Sequence, residues 1–419
     1  MRPIGGGVHE RAGAGPARPP RVVMLLGNGF SPDPRVEAAA SALARCGAEV
    51  AVVCWDRDGD LPEREDRGGV GVHRIRLPST HGRGTSQALL MPRIWSRYVT
   101  AGRALRPDVV HAHDLDTLPA GHRLARSAGA ALVFDAHESY PDMLAANVSP
   151  AVRWVTRRLE RFLVPRTDLV VTVGDRLRAH YAAMGARDAV VVGNWRDAVE
   201  TPERAPGDAP MRQAARGGTD AAPHAFATSV SICFIANLTA ERRVEPLLEA
   251  VERVPDSALT IGGTGSAVAA VEAAAARCPR IRYLGPVPAE DVAGWTAASD
   301  AVYYGFDPAN PNARFSAPNK LFEALAAGRP VITARFGEIG EIVAETGCGI
   351  LVPDYTPDAL AAAIRELRAP GRAETLRAAA RRAAVRFTRR AADDALLTAY
   401  ARILEPRRLG LGTATRAAG

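Results

Sequence analysis

The amino-acid sequence predicts an α/β protein of two doubly wound domains, each a parallel sheet flanked by helices, facing one another across a cleft. Three observations carry this expectation. Short apolar runs alternate with helical segments from Arg21 onward, a single aperiodic stretch interrupts the alternation, and 419 residues exceed what one hydrophobic core ordinarily serves.

In chain order, the strands expected in the first half cover residues 22–26, 49–54, 109–112, 131–134, 169–173 and 190–192. Asp33 before Pro34 and Ser149 before Pro150 read as N-caps followed by a first helical residue, opening helices over 36–45 and 151–164. On the second of these helices Val152, Val155, Leu159, Phe162 and Leu163 recur at helical spacing opposite Arg153, Arg157, Arg158 and Arg161. A face packed on the sheet is the ordinary reading, and docking on an anionic membrane is the alternative. In the second half the strands fall at 231–234, 259–261, 281–284, 301–304, 331–333 and 349–352. Residues 201–227, rich in Pro, Gly, Ala and alternating charge, read as a linker or mobile loop.

A leading segment, residues 1–20, carries Gly, Pro and Arg without an apolar h-region, so it reads as a disordered basic arm and the location as cytoplasmic. The net charge of +7 raises the question of a nucleic-acid or membrane partner. Arg2, Arg11, Arg18 and Arg21 against Glu10 put +3 in the leading arm, and Arg407, Arg408 and Arg416 put +3 in the tail, which leaves +1 for the folded middle. A specific nucleic-acid groove is therefore not expected, while the basic ends retain the capacity for weak contact with anionic lipid or RNA. No apolar run is long enough to cross a bilayer. Five widely spaced cysteines, Cys46, Cys54, Cys233, Cys278 and Cys348, without C-x-x-C spacing and odd in number, argue against a disulfide framework or a zinc site.

Ligands of doubly wound sheets bind beyond the carboxyl ends of the strands, so the residues just after strands hold the chemistry. The strand at 109–112 runs into His111, His113, Asp114 and Asp116, and the next runs into Asp135, His137 and Glu138. These groups can orient sugar hydroxyls or move a proton; alternatively, Asp114 and Asp135 cap the following helices. A metal site is the weakest option, because His111 and His113 are expected on opposite faces of their strand. The first strand leads into Gly27, Asn28 and Gly29 without the G-x-G-x-x-G of a dinucleotide fold.

In the second half, Gly262, Gly263, Thr264 and Gly265 follow a strand and open a helix, so their amides can face a phosphate or sugar, although a tight turn requires glycine in any case. Arg242 and Arg243, at the entry of a helix expected over 241–254, can clamp a diphosphate or form a plain exposed turn. The most informative run is residues 315–330, FSAPNKLFEALAAGRP. Pro318 suits the first helical position, which places Asn319 and Lys320 in the first turn and Glu323 on the same face. A helix N-terminus with a lysine suits a diphosphate, and a carboxylate one turn on can accept both hydroxyls of a ribose; a solvated Lys320–Glu323 pair is the simpler alternative.

At these residues the sequence resembles the retaining glycosyltransferases of family 4, which have the GT-B fold, in a P-N-K-x-F-E variant. Segments 31–53, 108–121, 133–142, the VVGN ending at Asn194 and 318–332 carry the resemblance. It implies an acceptor-side domain over 21–200, a linker at 201–228, a nucleotide-sugar-binding domain over 229–390, a helix at 391–405 crossing back to the first domain, and a tail at 406–419. By the same resemblance His113 approaches the transferred sugar and acceptor, Arg242 grips the donor phosphates, Asn319 and Lys320 line phosphates and sugar, and Glu323 holds the ribose. Gly263 and Gly265 join the donor side, and Asn28, Asp114, His137 and Glu138 are acceptor-side candidates.

Phe315 stands where the family's E-x7-E pattern has its first glutamate, Ala236 where glycine is usual, and Arg243 at the glycine position after the phosphate-gripping base. The implied activity is retaining transfer of a hexosyl or N-acetylhexosaminyl group from a nucleotide sugar, UDP favoured over GDP. The acceptor is left unidentified, with a glycan, a lipid-linked intermediate or a secondary metabolite as examples, and neither metal nor other cofactor is expected. A nucleotide-sugar epimerase of the same fold and a non-catalytic sugar-nucleotide-binding protein are the rivals, and peripheral contact with the inner face of a membrane is the less favoured alternative to a cytoplasmic location.

Overall fold

Runs of Val, Ile and Leu buried on both faces build two parallel sheets in a computed structural model that describes residues 18–79, 84–146, 148–198, 230–407 and 409–411. The expected linker lies outside the described residues, as do most of the leading arm and the tail. The first half runs β1 (Arg21–Leu26), α1 (Pro34–Arg45), β2 (Glu49–Asp56), β3 (Arg64–Arg67), β4 (Val70–Arg76), α2 (Gly84–Ala104), β5 (Val109–His113), α3 (Asp114–Ala128), β6 (Ala131–Ala136), α4 (Tyr140–Met143), α5 (Pro150–Leu163), β7 (Leu169–Thr172), α6 (Asp175–Ala183) and β8 (Ala189–Val191). The second runs β9 (Val230–Ile235), α7 (Val244–Arg253), β10 (Ser257–Gly262), α8 (Val268–Arg277), β11 (Ile281–Tyr283), α9 (Ala289–Ala297), β12 (Ala301–Tyr303), α10 (Asn319–Ala326), β13 (Val331–Ala334), α11 (Gly337–Thr346), β14 (Gly349–Val352), α12 (Pro357–Leu367), α13 (Arg372–Ala384) and α14 (Arg389–Leu404).

The sheet orders are β3-β4-β2-β1-β5-β6-β7-β8 and β11-β10-β9-β12-β13-β14, parallel except for the β3–β4 pair. Winding reverses between β1 and β5 in the first sheet and between β9 and β12 in the second. Crevices open at these two switch points, and loops that leave their strands there line any ligand site.

Each of the twelve expected strands is present within a residue or two. The β3–β4 hairpin is additional to the expected strands. Arg74 points inward, paired with Glu65 at 2.6 Å, and the charged edge strand leaves little for another chain to pair with. Asp33 and Ser149 cap α1 and α5 as expected, accepting from Val36 N and Val152 N. The apolar stripe expected on α5 divides: Leu159 and Leu163 pack on the core, whereas Val155 and Phe162 face outward beside Trp154.

The last helix, α14, returns to the first sheet. Leu396, Ala399, Tyr400 and Leu404 are fully buried against a cluster that includes Val22, Met24, Val109 and Val133. One apolar cluster takes residues from both halves, and polar contacts also join them. Asn312 joins Ser139 and Glu138, Arg314 reaches Asp142 at 3.1 Å, and Glu338 accepts the amides of Asp175 and Arg176.

Candidate functional site

On the first sheet the site grows from the ends of β5 and β6. His111 and His113 lie two residues apart, so the alternation of side chains puts them on the same face of β5, not opposite faces as expected. Their rings stack at 4.4 Å. Asp135, near the end of β6, does not cap a helix. Its Oδ1 accepts from Arg35 of α1 at 2.5 Å, and its Oδ2 lies 3.4 Å from His113 Nδ1 and 3.6 Å from His111 Nε2. Burial alone would raise this carboxyl, but the Arg35 guanidinium and three surrounding imidazoles hold its pKa well below the usual range. His111 is buried and its pKa is pushed down to about 4, while its Nδ1 meets the Tyr400 hydroxyl of α14 at 2.7 Å.

His113 is fully buried, and its Nε2 has no hydrogen-bond partner among the described residues. Its Nδ1 lies 3.3 Å from His137 Nε2, and His137 Nδ1 lies 3.3 Å from Asp114 Oδ2. Directly after His113 the backbone of Asp114 takes φ +60°, a left-handed conformation that costs a non-glycine residue about 1 kcal/mol or more and is typical of functional sites. Desolvation, with Asp116 and Glu138 nearby, raises the Asp114 carboxyl well above the ordinary range. Asn28 shapes the β1 loop: its Oδ1 accepts from Phe30 N and its amide donates to Asp33.

On the second sheet, the loop after β9 differs from the expected helix entry. Ala240–Arg242 form a 3-10 turn, Arg243 takes φ +51°, and α7 begins only at Val244. Arg243 thus has the backbone conformation that glycine adopts most easily, as its place in the resemblance implies. Arg242 leans over Phe306 at 4.5 Å and donates to the Tyr304 hydroxyl at 2.7 Å, which fixes its guanidinium. Arg243 pairs instead with Asp307.

The glycine turn after β10 is governed by close approach. A Cβ on Gly263 would lie 1.8 Å from the Ala236 carbonyl and one on Gly265 2.3 Å from the Leu238 carbonyl. The Gly263 amide already donates to Gly285, and α8 starts at Val268, so this turn does not open the helix directly and the Gly263 amide is not free for a phosphate. Pro318 is the N-cap of α10, one position earlier than expected, which makes Asn319 and Lys320 its first two residues. Lys320 Nζ and Glu323 Oε2 pair at 2.5 Å, both largely shielded, and Arg196 stands 3.9 Å from the other Glu323 oxygen. Phe315 is buried against His180 and the core, so that position presents no polar group to a ligand.

The two sides meet through Asn312. Its Oδ1 accepts from Ser139 N and its amide donates to Glu138 Oε2 at 2.7 Å, and Glu138 lies close enough to Arg242 to feel its charge. Sequence reasoning missed Asn312, Arg35, Tyr304 and the Asp135 role. Arg35 sits in the first turn after Pro34, where a cation is unfavourable for the helix, and that was the one available signal.

Residues 32–195 match the glycosyl transferase 4-like domain, and residues 229–369 match the glycosyl transferases group 1 family. A GDP-mannose-dependent alpha-(1-6)-phosphatidylinositol dimannoside mannosyltransferase of Mycobacterium tuberculosis is 28% identical over 340 residues, 78% of this chain and 82% of that protein. Glycogen synthase of the same organism is 25% identical over 83% of each chain. Among solved structures, sucrose-phosphate synthase from Thermosynechococcus elongatus superposes with a TM-score of 0.71 at 16% identity, over 92% of this chain and all of that one. Anabaena HepE, in complex with UDP and glucose, gives 0.66 at 17% identity, over 90% and 97%.

Proposed function

The chain belongs to the GT-B glycosyltransferases, and on that premise we propose that it moves a hexosyl or N-acetylhexosaminyl group from a nucleoside diphosphate sugar to an acceptor hydroxyl, with retention and without a divalent metal. One observation supports the reading: Arg242 of the second half lies close enough to Glu138 of the first to feel its charge, Asn312 donates to the same Glu138 carboxylate, and the Lys320–Glu323 pair stands at the start of α10.

In this reading Arg242 and Lys320 take the diphosphate with Asn319 beside them, and Glu323 exchanges its lysine for the ribose hydroxyls. Gly265 lets the backbone turn approach closely. Ionised Asp135 draws the His113 proton to Nδ1, because a lone pair there would face a carboxylate. His113 Nε2 is then an acceptor without a partner among the described residues, which costs about 1–3 kcal/mol, and a sugar hydroxyl can satisfy it. As the bond from the anomeric carbon to the diphosphate breaks, its electron pair passes to the diphosphate, where Arg242, Lys320 and the α10 N-terminus stabilise the charge. The acceptor oxygen bonds to the same face and its proton passes to a phosphate oxygen. Asn28, Asp114, His137 and Glu138 line the acceptor side.

His111, His113 and Asp135 bring donor atoms within 4.8 Å of one another. A cation fits poorly there, because Arg35 already neutralises Asp135, and in this reading the diphosphate is held by residues of the second half. Turnover is therefore expected to persist in EDTA, and loss of turnover restored by Mn²⁺ or Mg²⁺ contradicts this. The decisive experiment is a thermal-shift and binding panel of UDP- and GDP-sugars, followed by detection of released nucleotide with candidate acceptors. Both bases belong in the panel, since the expectation of UDP meets a relative named for GDP-mannose. Absence of binding to every donor sinks the proposal, and a new nucleotide sugar formed without any acceptor replaces it with epimerisation.

A further inference from the structure

We propose that the outer face of α5 docks on an anionic lipid bilayer. Five large apolar side chains stand out as exposed among the described residues, and three of them, Trp154 at 59%, Val155 at 55% and Phe162 at 53%, share this one helical face. Scattered single apolar residues need no explanation, whereas a cluster on one surface helix marks a contact site.

The charges around it identify the partner. Arg158 lies over the Trp154 ring at 5.1 Å and Arg166 over the Phe162 ring at 3.7 Å, with Arg161 exposed between them. The one acid of the helix, Glu160, is buried against the Tyr181 hydroxyl at 2.9 Å and adds no negative charge to this face. A helical face of aromatic rings with guanidiniums laid on them suits the headgroup level of a bilayer, where rings enter the acyl boundary and guanidiniums meet lipid phosphates. A second copy of this chain fits less well, because a symmetric contact would set the same arginines against each other.

The helix also borders the cleft. On its inner side Arg153 and Arg157 both hold Asp142 at 2.8 Å, and Asp142 also takes Arg314 from the second half. Docking through α5 thus sets the interdomain junction close to the membrane plane. This inference stands independently of the proposed sugar transfer, since it concerns lipid binding alone.

The test is sedimentation of the full chain with vesicles of phosphatidylcholine alone or mixed with phosphatidylglycerol. Binding is expected only to the anionic vesicles, weakened at high salt, with a blue shift of tryptophan emission that Trp154→Phe abolishes. The double variants Trp154→Ser/Phe162→Ser and Arg158→Gln/Arg161→Gln should each lower the bound fraction about tenfold or more. Unchanged thermal midpoints in both establish that they fold. No binding to anionic vesicles at low salt overturns the proposal. So does wild-type binding by both variants, which would assign adhesion to the basic chain ends, or a dimer of the full chain that the variants dissolve.

Discussion

Lys320 is the one lysine among 53 basic residues, and its ammonium is held 2.5 Å from Glu323 at the start of α10. A guanidinium would carry the same charge, so a site that keeps lysine in so arginine-rich a chain needs a compact group with three donors. Lys320→Arg is expected to lower turnover by about tenfold, or about 1.4 kcal/mol of lost transition-state stabilisation, and Lys320→Ala by more. Wild-type kcat and donor affinity in purified Lys320→Arg would remove the diphosphate from α10. The His111 ring gives a second residue-level expectation. Its folded pKa of about 4 lies below the unfolded value of about 6.5, so the unfolded chain takes up the proton first as pH falls. Stability attributable to this group is intact above pH 6.5 and declines toward pH 4, by about 3 kcal/mol at full extent. The drop in Tm between pH 7 and pH 5 should shrink in His111→Gln; an unchanged drop contradicts the assignment.

At the level of elements, the contact between α6 and the second half is a helix cap supplied from another domain. Both oxygens of Glu338 take the first amides of α6, at 2.8 and 2.7 Å, and Arg176 forks onto Glu341. Gly174 is tolerant of side chains by its extended backbone but not by its surroundings, since a Cβ would lie 2.6 Å from the Glu338 carboxyl carbon. Gly174→Ala and Glu338→Ala should therefore act alike. Each is expected to weaken closure by about 1–2 kcal/mol, enlarge the radius of gyration in solution scattering and raise the KM for donor. Unchanged scattering in both would show that the contact does not hold the halves together. The same contact shows where sequence reading stops. Strand positions were legible because each is a local apolar run, and Asp33 and Ser149 were legible because a cap acts within one turn. Arg35 meets Asp135 across 100 residues and Asn312 meets Glu138 across 174, and no local pattern records such pairs. The β3–β4 hairpin was hidden for another reason: its inward Arg74 is neutralised by Glu65, so burial there does not look apolar. The start of α10 was misplaced by one residue because Pro318 keeps ψ +144°, extended rather than helical.

At the scale of the molecule, the first domain is made from both ends of the chain. Deleting residues 389–419 should strip the face that includes Val22, Met24 and Val109, and remove the Tyr400 hydroxyl from His111. The truncated chain is expected to aggregate, or to lose several kcal/mol of stability in the first domain while the second keeps its own melting transition. A truncation that leaves both transitions in place refutes this role for α14. The arrangement also bears on synthesis. After β8 leaves the ribosome, about 200 further residues must be translated before α14 emerges, roughly 10–40 s at about 5–20 residues per second. Throughout that interval α1 already packs in the same apolar cluster, but the part of the sheet face that α14 covers lacks its native partner. The second half can complete its own sheet meanwhile, so the half that is translated first is the last to be finished.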